Sequence, residues 1–216
     1  MKIQWLGHSS FKLEESTGTT IVTDPYNNIG FDMPKIHADA VTISHNHKDH
    51  SNINAVLGKP KIFNKAGVYD FKGVHITAIP SFHDEELGNQ RGENLIFKYR
   101  MDGVEICHLG DIGHKITPEI IELLVPVNVL LIPIGGNYTI SAETAKEYVD
   151  VLMPDIVIPM HYKVKNISID VDKPDLFLKL FDDENITVTE QNIVEINRDD
   201  LDEVSTKVIL LKKLDL

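Results

Sequence analysis

A single cysteine, Cys107, in a chain of 216 residues leaves no partner for an internal disulfide, and a reducing, cytoplasmic compartment is the expectation. Positive charge is also scarce, with 21 Lys and Arg against 33 Asp and Glu for a formal charge of −12. A protein that tracks nucleic acid or lies on anionic lipid needs a basic face, so both kinds of partner are disfavoured. No apolar run approaches the roughly 20 residues that span a bilayer, and the opening Met-Lys-Ile-Gln-Trp-Leu-Gly-His has no extended apolar segment of the secretory type. Pro- or Ser-rich linkers, low-complexity tracts and short repeats are missing as well, so one domain over 1–216 is expected, with 42% hydrophobic residues to fill its core.

What the chain does contain is histidine, ten in all. Several follow the same local pattern. Residues 2–6, 10–14 and 20–23 read as short strands in an antiparallel opening, and later β-branched runs each stop at a polar cluster. Ala40–Ile43 runs into Ser44-His45, Val74–Ile79 into Pro80-Ser81-Phe82-His83, Val104–Leu109 into Gly110-Asp111, Val129–Pro133 into Gly135-Gly136, and Ile156–Pro159 into Met160-His161. Helices are expected over 52–58, 117–125, 141–153 and 172–181, with Thr117 ahead of Pro118, Ser141 and Asp172 as caps. Strand-like runs return around Val188, Val194 and Ile209. Strands first, then strands alternating with helices, predict a layered α/β sandwich. Nine acids and one base fall within 182–203, so most of the negative charge belongs to that segment, which reads as a solvated face.

The densest signal is His45-Asn46-His47-Lys48-Asp49-His50. In a loop leaving a strand, side chains 45, 47 and 49 project to one side, and His50 turns back beside them. Imidazole nitrogen and carboxylate oxygen suit Zn²⁺ and other borderline or hard divalent ions, whereas one cysteine cannot build a thiolate site. Of the remaining histidines, His37 and His75 read as surface or edge residues. His8 and His108, at or near strand ends, are candidates to brace ligand rings, as is Asp24 in Thr-Asp-Pro; His114 stays open.

These residues resemble the metallo-β-lactamase-fold hydrolases, whose signature His-x-His-x-Asp-His follows a strand and is matched here at all four positions. His83, Asp111 and His161 occupy the places of the later ligands. Trp5-Leu6-Gly7-His8-Ser9-Ser10-Phe11, Thr23-Asp24-Pro25 and Ile132-Pro133-Ile134-Gly135-Gly136-Asn137-Tyr138-Thr139 are most similar to a branch of small hydrolases related to ascorbate-phosphate lactonase. The resemblance implies a four-layer αββα sandwich with two divalent ions along one edge, Zn²⁺ foremost, with Mn²⁺ or Fe compatible. One ion would take His45, His47 and His83, the other Asp49, His50 and His161, with Asp111 bridging. A water held between such ions loses its proton near neutral pH, so the expected reaction is attack on a small ester, lactone or phosphodiester. Asp49, Asp111, His161 and Tyr138 are the candidate catalytic residues, Tyr138 as a group that polarises a carbonyl or steadies a leaving oxygen. The polar loop from Asp84 to Glu93 is placed to overhang the site, with Arg91 a candidate for pairing a substrate anion.

After His161 this branch usually continues Tyr-Gly-Thr, whereas here Tyr162-Lys163-Val164-Lys165 follows, a departure directly beside an expected ligand. Two lysines beside a ligand suit a small anionic substrate, and self-association stays open. The alternatives are a nuclease or RNA-processing enzyme, which the charge opposes, and a non-hydrolytic metal-binding or iron redox variant. His47, where diiron oxidases of this fold usually carry an acid, argues against the last.

Overall fold

The structure is a computed structural model that describes residues 1–201 and 205–213. Its strands are β1 (Lys2–Gly7), β2 (Ser10–Glu14), β3 (Thr20–Thr23), β4 (Ile36–His37), β5 (Ala40–Thr42), β6 (Val56–Leu57), β7 (Lys61–Phe63), β8 (Gly67–Phe71), β9 (Val74–Phe82), β10 (Glu93–Met101), β11 (Val104–His108), β12 (Val129–Pro133), β13 (Ile156–Met160), β14 (Ile186–Val188), β15 (Ile193–Glu195) and β16 (Lys207–Leu210). Three α-helices join them: α1 (Pro118–Leu124), α2 (Ala142–Leu152) and α3 (Asp175–Leu178).

Among the described residues these form two large sheets, one ordered β15-β1-β2-β3-β5-β7 and the other β14-β16-β13-β12-β11-β10-β9-β8, and a two-stranded ribbon of β4 and β6. The two large sheets stack face to face because alternate side chains of each strand are apolar. Ile3, Trp5, Leu13 and Ile21 from the first meet Ile76, Phe97, Tyr99 and Leu131 from the second in one buried core. The Thr42 and Tyr99 hydroxyls bond across that interface at 2.6 Å, which satisfies two polar groups that burial would otherwise penalise. Intervening residues of the first sheet, Leu6, Val22 and Val41, point the other way into a second cluster with Tyr26, Ile29 and Val56. Outside the larger sheet, α2 presents Ala145, Tyr148 and Val149 to the main core. This is the mixed α/β sandwich of the metallo-β-lactamase fold.

Thr117 and Ser141 cap α1 and α2, each hydroxyl accepting a backbone N–H three residues on. Two expected helices differ. Over 52–58 there is a 3₁₀ turn, Ile53–Ala55, followed by β6, because Val56 and Leu57 pair with Ile36 and His37 while Asn52 is tied to Pro25 and Tyr26. Over 172–181 only Asp175–Leu178 is helical, and Asp172 is no cap. Its backbone bonds Lys163 and Gly135, which holds that stretch extended beside the strand ends. The acidic segment is solvated where described: Asp182, Asp183, Glu184, Glu190, Glu195, Asp199 and Asp200 are all exposed, and Asp202 and Glu203 lie outside the described residues. Among the described residues no helix is long and apolar enough to cross a membrane.

Strand direction positions the site. In the first sheet β3 and β5 are parallel, and β1 shares their direction because both β1 and β3 run antiparallel to β2. In the second, β11, β12 and β13 are parallel, and β9 shares their direction through β10. Carboxyl ends of parallel strands are where α/β sheets place their ligands. Here those ends carry His8, Asp24, His45, His83, Asp111 and His161.

The strand ends touch so closely that glycine is required behind two of the histidines. A Cβ on Gly113 would sit 2.3 Å from the carbonyl of His83, and one on Gly135 would sit 2.1 Å from the carbonyl oxygen of His161. Neither clash involves a yielding side chain. Gly135→Ala is therefore expected to lower stability by about 1–3 kcal/mol and to reduce bound metal together with it. A melting temperature and metal content equal to wild type would show that the strand ends can slide apart freely.

Candidate metal centre

Asp111 stands at the centre of the assembled strand ends. Its Oδ2 lies 3.1 Å from His161 Nε2, 3.2 Å from His50 Nε2 and 3.4 Å from His83 Nε2. Its backbone N–H donates to Asn94 Oδ1, and Asn94 in turn bonds Ser81 and Leu109, so the carboxylate is delivered by a fixed loop. Around it the rings of His45, His47 and His83 converge, with centroids 4.5 to 5.3 Å apart. The seven residues expected as ligands, His45, His47, Asp49, His50, His83, Asp111 and His161, are thus brought together. His45, His47 and His83 form one group of convergent donor atoms, and His50 and His161 belong to another that also includes His8.

Asp24 organises the outer side of the cluster. It accepts hydrogen bonds from Ser44 N at 2.7 Å, Ser44 Oγ at 2.6 Å and His50 Nδ1 at 3.1 Å. The Ser44 hydroxyl has one proton, which it gives to Asp24, so His45 Nδ1 at 2.9 Å must donate to Ser44. That choice leaves His45 Nε2 as a bare lone pair, and this atom is buried without any partner in the protein. A buried lone pair clustered with imidazoles and the Asp111 carboxylate is what a cation would satisfy. The donor set fits a divalent metal.

Electrostatics agree. Burial pushes the His45 imidazole down to about 3, keeping it in the neutral form that binds metal. His83 is lowered by burial too. Burial opposes charge on Asp111, yet His161 and His50 hold its carboxyl well below the usual range. Asp49 is likewise held low against burial, by a bond from His8 and the charge of His50. His50 moves up: burial disfavours its cation, but Asp111 and Asp24 on either side outweigh that. His50 thus sits between two buried carboxylates, Asp24 at 3.1 Å and Asp111 at 3.2 Å, whose charge favours its cation.

Beside Asp111 opens a cavity of about 370 Å³ lined by His47, Asp49, His83, Arg91, Tyr138 and His161 among others. Asp84, directly after His83, gathers the loop above it by accepting the backbone N–H groups of Glu86, Gly88, Gln90 and Arg91. Burial would raise this carboxyl, but the four amides pull it down to about 2. Arg91 is thereby carried over the cavity, where it bonds the carbonyl of Asn137 at 3.0 Å and lies 5.8 Å from the centre of the Tyr138 ring. Lys163 and Lys165 do not line the cavity. The chain turns at His161 with φ +52°, Lys163 Nζ is engaged by the Ile169 carbonyl, and Lys165 is exposed.

Among the remaining histidines, His108 sits outside the cluster with both nitrogens engaged, Nε2 donating to Ser9 O and Nδ1 accepting from Gly110 N, so it fixes the turns on either side of Asp111. His37 and His75 are surface residues, the latter paired with Asp70. His114 is directed to the Lys115 carbonyl. His8 lies inside the cluster, not behind it: its Nε2 is 3.2 Å from His50 Nε2 and 3.5 Å from Asp49 Oδ2. The signal was in the sequence, since Trp5-Leu6-Gly7-His8 repeats the strand-then-histidine pattern seen three more times, at His45, His83 and His161.

Two stacked mixed sheets with a His/Asp cluster at their carboxyl ends define the metallo-β-lactamase class of fold. The chain belongs to the β-lactamase superfamily, whose domain profile matches residues 2–161. Within it the chain is similar to a UPF0173 protein of Pyrococcus furiosus, 33% identical over 183 residues that cover 75% of this chain and 83% of that one. It is also similar to a UPF0173 metal-dependent hydrolase of Archaeoglobus fulgidus, 28% identical over 195 residues covering 75% and 83%. A crystal structure from Thermotoga maritima, assigned as a Zn-dependent hydrolase of the metallo-β-lactamase superfamily, superposes with a TM-score of 0.80 at 38% identity over 97% of both chains.

Proposed function

We propose that this protein is a metal-dependent hydrolase that cleaves a small, anionic ester, lactone or phosphodiester. The observation that carries this reading is the buried Asp111 carboxylate ringed by three imidazole nitrogens at 3.1–3.4 Å, at the floor of an open cavity. His45, His47 and His83 would hold one divalent ion, and Asp49, His50 and His161 a second, with Asp111 between them. Two such ions would supply a hydroxide nucleophile at neutral pH and polarise the bond under attack. Zn²⁺ suits the donors best, and Mn²⁺ or Fe is compatible.

The chain's own residues then do the rest. Asp24 and Ser44 fix the His45 and His50 rings, with His50 Nε2 at 3.2 Å from Asp111 and His45 Nε2 left without a protein partner. Arg91 and Tyr138, held together on two loops, present a fixed cation and a hydroxyl to the cavity mouth. Arg91 pairs an anionic substituent, and the Tyr138 hydroxyl donates to the carbonyl or leaving oxygen. The likeness of the glycine loop to the lactonase branch supports a lactone or ester as first choice.

Metal analysis of the purified protein followed by assays on lactones, thioesters and bis(p-nitrophenyl) phosphate tests the proposal. Stoichiometric metal with turnover on one class supports it; no bound metal under metal-replete conditions sinks it. Arg91→Gln is expected to raise KM for an anionic substrate by about ten- to a hundredfold, the worth of a charged hydrogen bond, with metal content unchanged. An unaltered KM would remove Arg91 from substrate recognition.

A further inference from the structure

We infer that His8 is a ligand of the second metal site, joining Asp49, His50 and His161, and this inference rests on the metal-centre reading above. The placement begins in the backbone. Pairing of β1 with β2 shifts register between Trp5 and Gly7, and Gly7 and His8 follow with φ of +113° and +53°. Two successive left-handed residues reverse the chain sharply, and a side chain at Gly7 would run into the Tyr26 hydroxyl at 2.7 Å. The turn is then locked: Tyr26 Oη donates to the Leu6 carbonyl, and the His8 carbonyl accepts from Trp5 Nε1 at 2.9 Å. A histidine forced into a left-handed conformation at a tightly bonded turn is strain retained for a reason.

The ring explains that reason. It is fully buried, packed between His161 at 4.3 Å and His50 at 4.8 Å between centroids, and its Nδ1 has no partner. Its Nε2 lies 3.2 Å from His50 Nε2 and 3.5 Å from Asp49 Oδ2. Neighbouring donors bound at about 2.0–2.2 Å to one four- or five-coordinate ion are separated by about 3–3.5 Å. Both spacings are therefore those of neighbouring corners of one coordination shell. The His8, His50 and His161 donor atoms all fall within 4.8 Å of one another. The remaining neighbour of Nε2, the Asp49 carboxylate, is itself an expected ligand. The second site would then hold three imidazoles and Asp49 besides the shared Asp111, one donor more than the first site.

The test is zinc and cobalt stoichiometry and affinity, read by elemental analysis, calorimetric titration and the visible spectrum of the Co²⁺ form. His8→Asn keeps a residue that tolerates the left-handed turn but cannot reach the ion, and His47→Ala serves as the matched lesion of the first site. Ligation predicts that His8→Asn, folded by circular dichroism, weakens one of two ions by at least about 100-fold, beyond the 10–100-fold typical of a residue that only orients a ligand. The cobalt bands lost are to differ from those lost in His47→Ala. Two ions at wild-type affinity in His8→Asn overturn the assignment. So does restoration by His8→Gln, whose amide could still hydrogen-bond Asp49 without replacing an imidazole. Wild-type protein that binds no second ion overturns the metal-centre reading itself, a result distinguishable from either.

Discussion

Asp111→Asn is expected to lower kcat by more than about 10³-fold and to remove at least one metal ion, while the protein stays folded. The carboxylate lies within 3.4 Å of three ring nitrogens drawn from three separate loops, those of His50, His83 and His161. A residue that only orients ligands costs 10–100-fold when changed, and one shared by both sites must exceed that. The asparagine keeps the shape and the backbone bond from Asp111 N to Asn94, so the loop has no reason to move. What disappears is the negative charge. His161 and His50 currently hold that carboxyl ionised against burial, and without it the cluster loses half of the buried anion pair that embraces His50. Elemental analysis, turnover on the best substrate of the panel and far-UV circular dichroism check this together. Full turnover with two bound ions would show that Asp111 does not bridge.

Much of this centre could be read from the chain because its geometry is local or follows strand direction. Residues 45–50 carry ligands at a spacing that a strand-exit loop projects to one side, and His83, Asp111 and His161 each follow a β-branched run whose end the period-2 pattern marks. The caps at Thr117 and Ser141 were legible for the same reason, each bond closing within three residues. Features set by distant partners were not. The stretch after Asn52 lost its helix to a pairing of Val56 and Leu57 with β4, some 20 residues earlier in the chain. His8 stands at a strand end that the sequence marks, but its ring reaches into the cluster through a register shift between β1 and β2 that no hydrophobic pattern encodes. Lys163 and Lys165 read as neighbours of the site because they follow His161, yet the left-handed turn at that residue sends them elsewhere. Arg91, about forty residues beyond the histidine motif, is over the cavity because the Asp84 carboxylate accepts four hydrogen bonds from the backbone N–H groups of its loop.

Asp24→Asn is expected to be the most destabilising single exchange at the centre, by about 3–5 kcal/mol, the cost of breaking a buried charge pair on one side. All three groups facing Asp24 are donors: Ser44 N, Ser44 Oγ and His50 Nδ1. A carboxylate accepts from all of them, whereas an asparagine must turn its NH₂ toward at least one, placing donor against donor in a site sealed from water. The backbone is not the cause, because Asp24 has φ +38° and asparagine tolerates that region. Two consequences separate the effect from a simple loss of packing. Ser44 can now turn its hydroxyl proton toward His45, which invites the other His45 tautomer and puts a proton where Nε2 should face the metal. Metal affinity then falls about 10–100-fold, as for other partners that orient ligand rings. Thermal melts should therefore drop in metal-free protein, by about 2–4 °C per kcal/mol at this size, and drop further when excess Zn²⁺ is present, because the variant gains less from binding. If the loss is equal with and without Zn²⁺, Asp24 supports the fold but does not prepare the ligands; if the melts match wild type, the hydrogen-bond hub at Asp24 has no energetic role.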